Sequence, residues 1–253
     1  MKIIAAKDYE QMSAIAARFF AAQVLLKPTS VFGFATGSTP IGLYKELIRK
    51  NAEGKITFKY AHTVNLDEYY GMPREHEQSY YSFMHANLFD HIDIDPANTH
   101  LPDGMAADAG AECAAYDAHI ASLGGVDMQL LGIGHDGHIG FNEPADHFSL
   151  GTNCVTLTPM TIEANKRFFA SADEVPRQAL TMGMREIMQA KKIVLVINGR
   201  DKAQILYDAV FGPITPMVPA SILQLHPDVT LVADEEALSV AREKGKLCCC
   251  CRK

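Results

Sequence analysis

The sequence predicts an α/β fold, built as an open, mostly parallel sheet with helices on both faces. Short apolar runs, some rich in β-branched residues, alternate with longer segments whose apolar residues recur at helical spacing. The chain has 253 residues, 48% of them hydrophobic, which is enough to bury the core of one large domain. No low-complexity linker or charge run marks a boundary, so a single domain over residues 1–253 is expected.

The first half of the chain alternates strands and helices. Residues 8–26 place Met12 and Phe19 at helical spacing, whereas residues 31–35 form a short apolar run typical of a buried strand. A polar stretch ending in Pro40 separates this strand from the next helical pattern. The predicted elements are strand 2–5, helix 8–26, strand 31–35, helix 41–50, strand 63–66, helix 79–89 and helix 109–123.

The second half repeats this alternation. Residues 128–133 and 192–197 are apolar runs, and the second is rich in β-branched residues, which favour strands. The predicted elements are strand 128–133, helix 161–169, helix 181–190, strand 192–197, helix 201–210 and strand 229–233. Because parallel strands end at one edge of a sheet, the loops that follow them are the first candidates for a functional site.

Composition narrows the class of partner. The formal net charge is -7 and there is no long basic run, which argues against nucleic acid or an anionic membrane. The start of the chain has no signal-length apolar stretch, and no run approaches membrane-spanning length, so a cytoplasmic protein is expected. Four consecutive cysteines at 248–251 form a poor disulfide framework, and residues 247–253 are expected to be a flexible, reduced tail.

The loop at residues 132–144 has the composition of a catalytic loop. It follows an apolar run and places two histidines and two carboxylates among glycines. Glycines allow sharp turns and close approach of the backbone to a ligand, and imidazole beside carboxylates is suited to proton transfer near neutral pH. The candidates are His135, Asp136, His138 and Glu143.

A strand–loop–helix unit at residues 31–50 suggests a phosphate cradle. The hydroxyls of Thr36, Ser38 and Thr39 lie just before a helix start, where free N–H groups favour an anion. An ordinary capped helix explains the same residues equally well. The Walker A pattern is absent from the sequence. A second such loop, residues 198–202, contributes two cations, Arg200 and Lys202, either of which suits a phosphate.

Asp67 is the first residue of a predicted polar loop that follows the apolar strand 63–66, where its carboxylate is expected to face the same crevice as the loop at 132–144. With Asp136, His138 and Glu143 it would supply a base and an oriented acid–base histidine. A packed, hydrogen-bonded histidine is the plainer explanation of His138 alone. A metal site of three histidines, His138 with His135 and His147, is conceivable, but the spacings match no helical zinc pattern, and no metal is expected.

The segment around Pro213, Pro216 and Pro219 is the longest irregular stretch of the sequence. A surface connection and a mobile flap over a site explain it equally well.

Several segments together resemble the glucosamine-6-phosphate deaminases, also called isomerases. The resemblance covers nearly the whole chain in order, which makes it more specific than any single motif. The matching stretches are ATGSTP at 35–40, NLDEY at 65–69, SYYSFM at 79–84, GHDGHIGFNEP at 134–144, NKRFF at 165–169, ALTMG at 179–183 and LQLHP at 223–227.

The resemblance implies a Rossmann-like fold and conversion of glucosamine 6-phosphate and water to fructose 6-phosphate and ammonia, without metal or organic cofactor, in N-acetylglucosamine catabolism. It implies that His138, held by Asp136 and Glu143, opens the pyranose ring and that Asp67 then removes the C2 proton. An enolamine and then an iminium follow, and water displaces ammonia. The implied phosphate contacts are Thr36, Gly37, Ser38, Thr39, Arg167 and Lys202.

Departures from the allosterically regulated members predict a smaller, non-allosteric enzyme. Those members carry basic residues after the catalytic loop, whereas residues 150–155 here contain no Arg or Lys, and the chain ends soon after Ala237. A galactosamine-6-phosphate deaminase, a 6-phosphogluconolactonase-like hydrolase and a non-catalytic sugar-phosphate sensor remain alternatives. The expected partner is a small sugar phosphate, with no nucleic acid and no membrane, and the protein is expected to be a monomer or homo-oligomer.

Overall fold

Two sheets organise the computed structural model, which describes residues 1–169 and 171–247. The strands of the described residues are β1 (Lys2–Ala6), β2 (Val31–Phe34), β3 (His62–Asn65), β4 (Asp67–Tyr70), β5 (Thr99–His100), β6 (Met128–Leu131), β7 (Asn153–Thr156), β8 (Gln178–Thr181), β9 (Ile193–Ile197) and β10 (Val229–Asp234). The large sheet has seven strands in the order β1-β10-β9-β6-β2-β3-β5, and every neighbouring pair in it is parallel. Residues 248–253 of the predicted tail lie outside the described residues.

Helices surround the large sheet, and the predicted open, mostly parallel α/β architecture is confirmed. The helices are α1 (Tyr9–Leu26), α2 (Ile41–Ala52), α3 (Tyr80–Asn87), α4 (Ala109–Ser122), α5 (Pro159–Asn165), α6 (Met184–Gln189), α7 (Ala203–Phe211) and α8 (Ser239–Glu243). α1 begins where the Asp8 side chain accepts a hydrogen bond from the Gln11 N–H, and it buries Met12 and Phe20. In the described ranges, no helix combines the length and apolar character needed to cross a membrane.

The central strands are buried along their whole length. All residues of β9 and β10 are buried, as expected for parallel strands covered on both faces. Phe20 of α1 packs on Phe32 and Phe34 of β2, with ring centroids 5.6 Å away in each case. One continuous core cluster includes these residues, and a smaller one lies around Tyr69. The single-domain organisation stays a prediction.

The strand order reverses between β2 and β6. β3 and β5 follow β2 toward one edge of the sheet, whereas β9 and β10 follow β6 toward the other edge. The loops after β2 and β6 therefore diverge at the carboxyl edge of the sheet and open a crevice, which is where ligands bind in open α/β sheets. This topology brings the loops at 35–40 and 132–144 together.

The second sheet corrects two sequence predictions. Residues from Asp67 onward were expected to form a polar loop, but they form β4, which pairs antiparallel with β8 in the three-stranded sheet β4-β8-β7. The predicted helix 181–190 is wrong at its start, because Thr181 ends β8 and α6 begins only at Met184. A Cβ at the intervening Gly183 would lie 2.2 Å from the Leu150 carbonyl oxygen, so close packing of two chain segments determines the break.

Other differences are smaller. The predicted helix 161–169 starts earlier, at Pro159 after the N-cap Thr158, and continues beyond Asn165 as a 3-10 turn, Lys166–Phe168. Helix 201–210 begins as a 3-10 turn, Arg200–Lys202, before α7. The short strands β5, β7 and β8 and the helix α8 carry too few periodic residues to be identified from sequence alone.

Candidate active site

Three strand-end loops meet at the crevice. The Thr39 hydroxyl, in the loop after β2, donates to the side-chain oxygen of Asn198, in the loop after β9, at 3.1 Å. The ammonium of Lys202, in the same β9 loop, donates to the Ile133 carbonyl at the start of the loop after β6, at 2.7 Å. The sequence-predicted loops therefore form one connected site.

His138 and Asp136 form a close pair inside a glycine-rich turn. Nδ1 of His138 lies 2.6 Å from Oδ1 of Asp136, and the His138 N–H donates to the same oxygen at 3.2 Å. The ring contact is bent, since Nδ1 has no partner in hydrogen-bond geometry. A Cβ at Gly134 would lie 2.2 Å from the His138 ring, so only glycine allows the ring to lie there. Burial raises the pKa of Asp136, but the interactions with His138 lower it by more, so the pKa lies below its ordinary value.

Glu143 lies at the far end of the same loop. Its carboxylate accepts hydrogen bonds from the Thr158 N–H at 3.1 Å, the Thr158 hydroxyl at 2.8 Å and the Thr161 hydroxyl. One ligand atom from each of Asp136, His138 and Glu143 lies within 4.8 Å of the other two, so the fold brings these three side chains together.

The three-histidine alternative has no counterpart in the structure. His135 pairs with Asp201 at 2.7 Å and His147 pairs with Asp146 at 2.5 Å, both on exposed surface. Among residues 1–169 and 171–247, the one group with metal-ligand geometry is Asp136, His138 and Glu143. The Glu143 carboxylate of this group already accepts three hydrogen bonds from Thr158 and Thr161. These hydrogen bonds fix the orientation of the carboxylate.

Asp67 lies beneath the loop at residues 132–144. It is the first residue of β4, opposite Thr181, and it is 6% exposed. A Cβ on Gly140 would come within 3.4 Å of Asp67 Oδ2 and 2.9 Å of the Thr181 hydroxyl, so the loop passes directly over the carboxylate. Burial, with a further contribution from the charge of Glu68, raises the pKa of Asp67 to about 8.

The aromatic surroundings of Asp67 were not identified from sequence. The Tyr80 hydroxyl interacts with the hydroxyls of Tyr69 and Thr36, and burial raises its pKa well above the ordinary value. Tyr80 therefore links the Asp67 region to the predicted phosphate loop. Tyr80 lies in the SYYSFM stretch, but its burial depends on tertiary packing that a helical pattern does not reveal.

The predicted phosphate residues line the other side of the crevice. Gly37 has φ of 94°, a left-handed conformation that exposes the loop backbone. α2 has no side-chain cap, so the hydroxyls of Thr36, Ser38 and Thr39 do not serve the helix. The Gly42 N–H at the helix start already donates to the Tyr9 hydroxyl, so it is not free for a ligand.

Two cations complete this region. Arg167 lies over the Phe168 ring, 4.6 Å from its centroid, and lines one cavity together with Gly37 and Tyr80. Burial lowers the pKa of Lys202, and the positive charge of Arg167 contributes to the same direction. Arg167 is exposed and Lys202 is partly buried, and two cations near each other favour an anion between them.

The proline-rich segment contacts the loop at residues 132–144. The Ala220 N–H donates to the Gly137 carbonyl at 2.8 Å, and the Ala145 N–H donates to the Pro216 carbonyl at 3.3 Å. The segment thus supports the loop from outside. Its interpretation as a mobile flap stays a prediction.

Comparisons with known proteins agree with this geometry. Residues 9–232 match the family described as glucosamine-6-phosphate isomerases/6-phosphogluconolactonase. A glucosamine-6-phosphate deaminase of Lachnoclostridium phytofermentans is 57% identical over 232 residues, which cover 92% of this chain and 98% of that protein. A solved structure of a monomeric glucosamine-6-phosphate deaminase has a TM-score of 0.93 at 45% identity, covering 95% of this chain and 100% of that one.

A more distant structure, a 6-phosphogluconolactonase from Trypanosoma cruzi, has a TM-score of 0.76 at 18% identity and covers 94% of this chain and 96% of its own. That likeness concerns the fold alone. The family match and the high identity over almost the full length of a relative are the decisive findings. The chain therefore belongs to the glucosamine-6-phosphate isomerase and 6-phosphogluconolactonase family, and within it to the glucosamine-6-phosphate deaminases.

Proposed function

We propose that this chain converts glucosamine 6-phosphate and water to fructose 6-phosphate and ammonia. The observation that carries the proposal is the placement of Asp67. A buried carboxylate with a raised pKa lies directly beneath a loop that holds a separate acid–base histidine. An aldose–ketose isomerisation needs these two groups at two positions of the sugar.

The first step opens the pyranose ring. His138 moves a proton between O1 and the ring oxygen O5, and the carboxylate of Asp136, 2.6 Å from Nδ1, keeps the ring oriented and stabilises its charged form. Glu143 supports the same imidazole from the other end of the loop. Opening the ring exposes an aldehyde at C1, which acidifies the proton on C2.

The second step transfers this proton. Asp67 removes it from C2, the electron pair of the broken bond forms a double bond between C1 and C2, and the oxygen on C1 takes up a proton from solvent to give an enolamine. Return of the proton to C1 leaves an iminium at C2. Water then adds to C2, the carbon–nitrogen bond breaks, and ammonia leaves with the proton released by the added water. A base with a pKa raised to about 8 is well matched to a carbon acid of this kind.

The phosphate of the substrate provides the binding energy that positions the sugar. We assign it to Thr36, Gly37, Ser38 and Thr39, with Arg167 and Lys202 as its cations. The shared cavity of Gly37 and Arg167 and the contact of Lys202 with Ile133 support this assignment. Contacts remote from the reacting carbons hold C1 and C2 near the two acid–base groups.

An ammonia-release assay across glucosamine, N-acetylglucosamine and galactosamine 6-phosphates tests the proposal. We expect release from glucosamine 6-phosphate, with solvent deuterium incorporated at C1 of the ketose. Release from galactosamine 6-phosphate alone would select the epimer, lactone hydrolysis without ammonia would select the hydrolase, and binding without turnover would select a sensor.

The same proposal includes Michaelis–Menten kinetics without an allosteric activator. Its support is the stretch after the catalytic loop, where residues 150–155 contain no cation and end in β7. Rates measured with and without N-acetylglucosamine 6-phosphate test it, since a sigmoidal curve that this compound abolishes would contradict it. We also propose that the protein is cytoplasmic and that it is a monomer or a homo-oligomer.

A further inference from the structure

The carboxylate of Glu143 accepts hydrogen bonds from two threonines, which lie 15 and 18 residues further along the chain. The Thr158 N–H and hydroxyl and the Thr161 hydroxyl all donate to its carboxylate, and both threonines stand at the start of α5. Thr161 is 4% exposed, so solvent does not readily replace its hydroxyl. None of the site residues predicted from the sequence includes these two threonines.

The threonine contacts fix a side chain that would otherwise be free to rotate. A glutamate has three rotatable side-chain bonds, and Glu143 is only half-buried. The contacts hold its carboxylate where ligand atoms of Glu143, His138 and Asp136 lie within 4.8 Å of one another. The position of the negative charge beside the imidazole is therefore set before substrate binds.

We propose that Thr158 and Thr161 are positioning residues for ring opening, acting through Glu143 on His138. The inference rests on the proposed function. Ring opening moves positive charge onto and off the imidazole, and a carboxylate fixed in advance stabilises that charge without rearranging during the step. Outer hydrogen-bond partners that orient an acting group commonly change activity without touching substrate.

Thr161→Val tests the proposal, because valine keeps the shape of threonine and removes the hydroxyl. We expect kcat to fall by about 10-fold while KM stays within about 2-fold, and the pH dependence of kcat to change. Thr161→Ser, which restores a hydroxyl, should recover most of the rate. The matched control is Thr63→Val, because Thr63 is fully buried in β3 and its hydroxyl has no hydrogen-bond partner.

A double-mutant comparison isolates the contact with Glu143. In a Glu143→Ala background, which lacks the carboxylate that accepts the Thr161 hydroxyl, Thr161→Val should cause no further loss of kcat. An additive loss there, a normal rate in Thr161→Val, or a failure of serine to restore the rate would overturn the inference. If the valine variant does not fold, Thr161→Ser and Thr161→Ala are compared, since they differ by the hydroxyl alone. If the wild-type protein releases no ammonia, that result contradicts the proposed function itself and not the inference about the two threonines.

Discussion

Asp67 and Asp136 are carboxylates of one crevice in opposite environments. Asp67 is buried at the start of β4, beneath Gly140, and burial raises its pKa to about 8. Asp136 lies partly exposed in a glycine turn, in contact with His138, and the imidazole brings the pKa of this carboxyl below its ordinary value despite burial. The small antiparallel sheet forms the first environment, and the loop after β6 forms the second.

The difference shows how one residue type is suited to two roles. A carboxyl whose charged form is poorly solvated takes up a proton readily, which suits the base at C2. A carboxylate that stays charged suits the stabilisation of an imidazolium and the orientation of its ring. The proposed division of labour between Asp67 and Asp136 therefore follows from burial and neighbours, and substitution at each position should affect a different step.

The largest expected effect comes from Asp67→Asn. The amide keeps the size of the side chain but accepts no proton, so kcat should fall by about 10³-fold or more while glucosamine 6-phosphate still binds. Ammonia release measures the rate, and calorimetry with the same sugar measures binding. Glu10→Gln, the same type of change at an exposed position of α1, should leave both unchanged. A normal rate in Asp67→Asn would remove Asp67 as the base.

Asp136→Asn should have the next largest effect. The variant keeps an acceptor beside His138 but removes the negative charge, so we expect kcat to fall by about 10²-fold. Asp146→Asn is the matched control, because Asp146 contacts His147 at 2.5 Å on exposed surface. Steady-state ammonia release measures both variants. Equal losses in the two would contradict a specific role for the pair of Asp136 and His138.

Lys202→Met compared with Arg200→Met tests which cation of the β9 loop binds phosphate. Lys202 is partly buried and contacts the Ile133 carbonyl, whereas Arg200 is exposed and lies 3.9 Å from Glu243. Losing a charged hydrogen bond to phosphate costs about 1.5–3 kcal/mol, so KM should rise about 10- to 100-fold in Lys202→Met. KM should stay near the wild-type value in Arg200→Met. The reverse order would assign the phosphate contact to Arg200.

Much of this comparison was accessible from sequence. Strand–loop–helix alternation predicts the parallel sheet, and its geometry predicts that Asp67 and the loop at 132–144 lie at one edge. The residue types identify His138 as an acid–base candidate. The family resemblance adds Arg167, which lies in no pattern that spacing alone would single out.

The environments that distinguish the two carboxylates were not accessible. The burial of Asp67 depends on the pairing of β4 with β8, where Asp67 lies opposite Thr181, and a short strand with two acids gives no periodic signal for it. The position of the Glu143 carboxylate likewise depends on its hydrogen bond with Thr161, which joins two separate segments of the chain. Local propensity describes neither kind of contact, because both arise only when the sheets have assembled.

The smallest expected effect concerns stability and separates burial from chemistry. The pKa of Asp67 is about 8 in the folded chain and about 3.9 in an unfolded one, so the folded state binds more protons between these values. Wild-type stability should therefore fall as pH rises from about 4 to 8, and the Asn variant, which carries no titrating group there, should lack this loss. We expect Asp67→Asn to gain about 2 kcal/mol relative to wild type between pH 5 and 6.5, measured by urea unfolding. Taking the difference from wild type at each pH cancels the other titrating groups, and a constant difference would mean that Asp67 is not the desolvated carboxylate of the site.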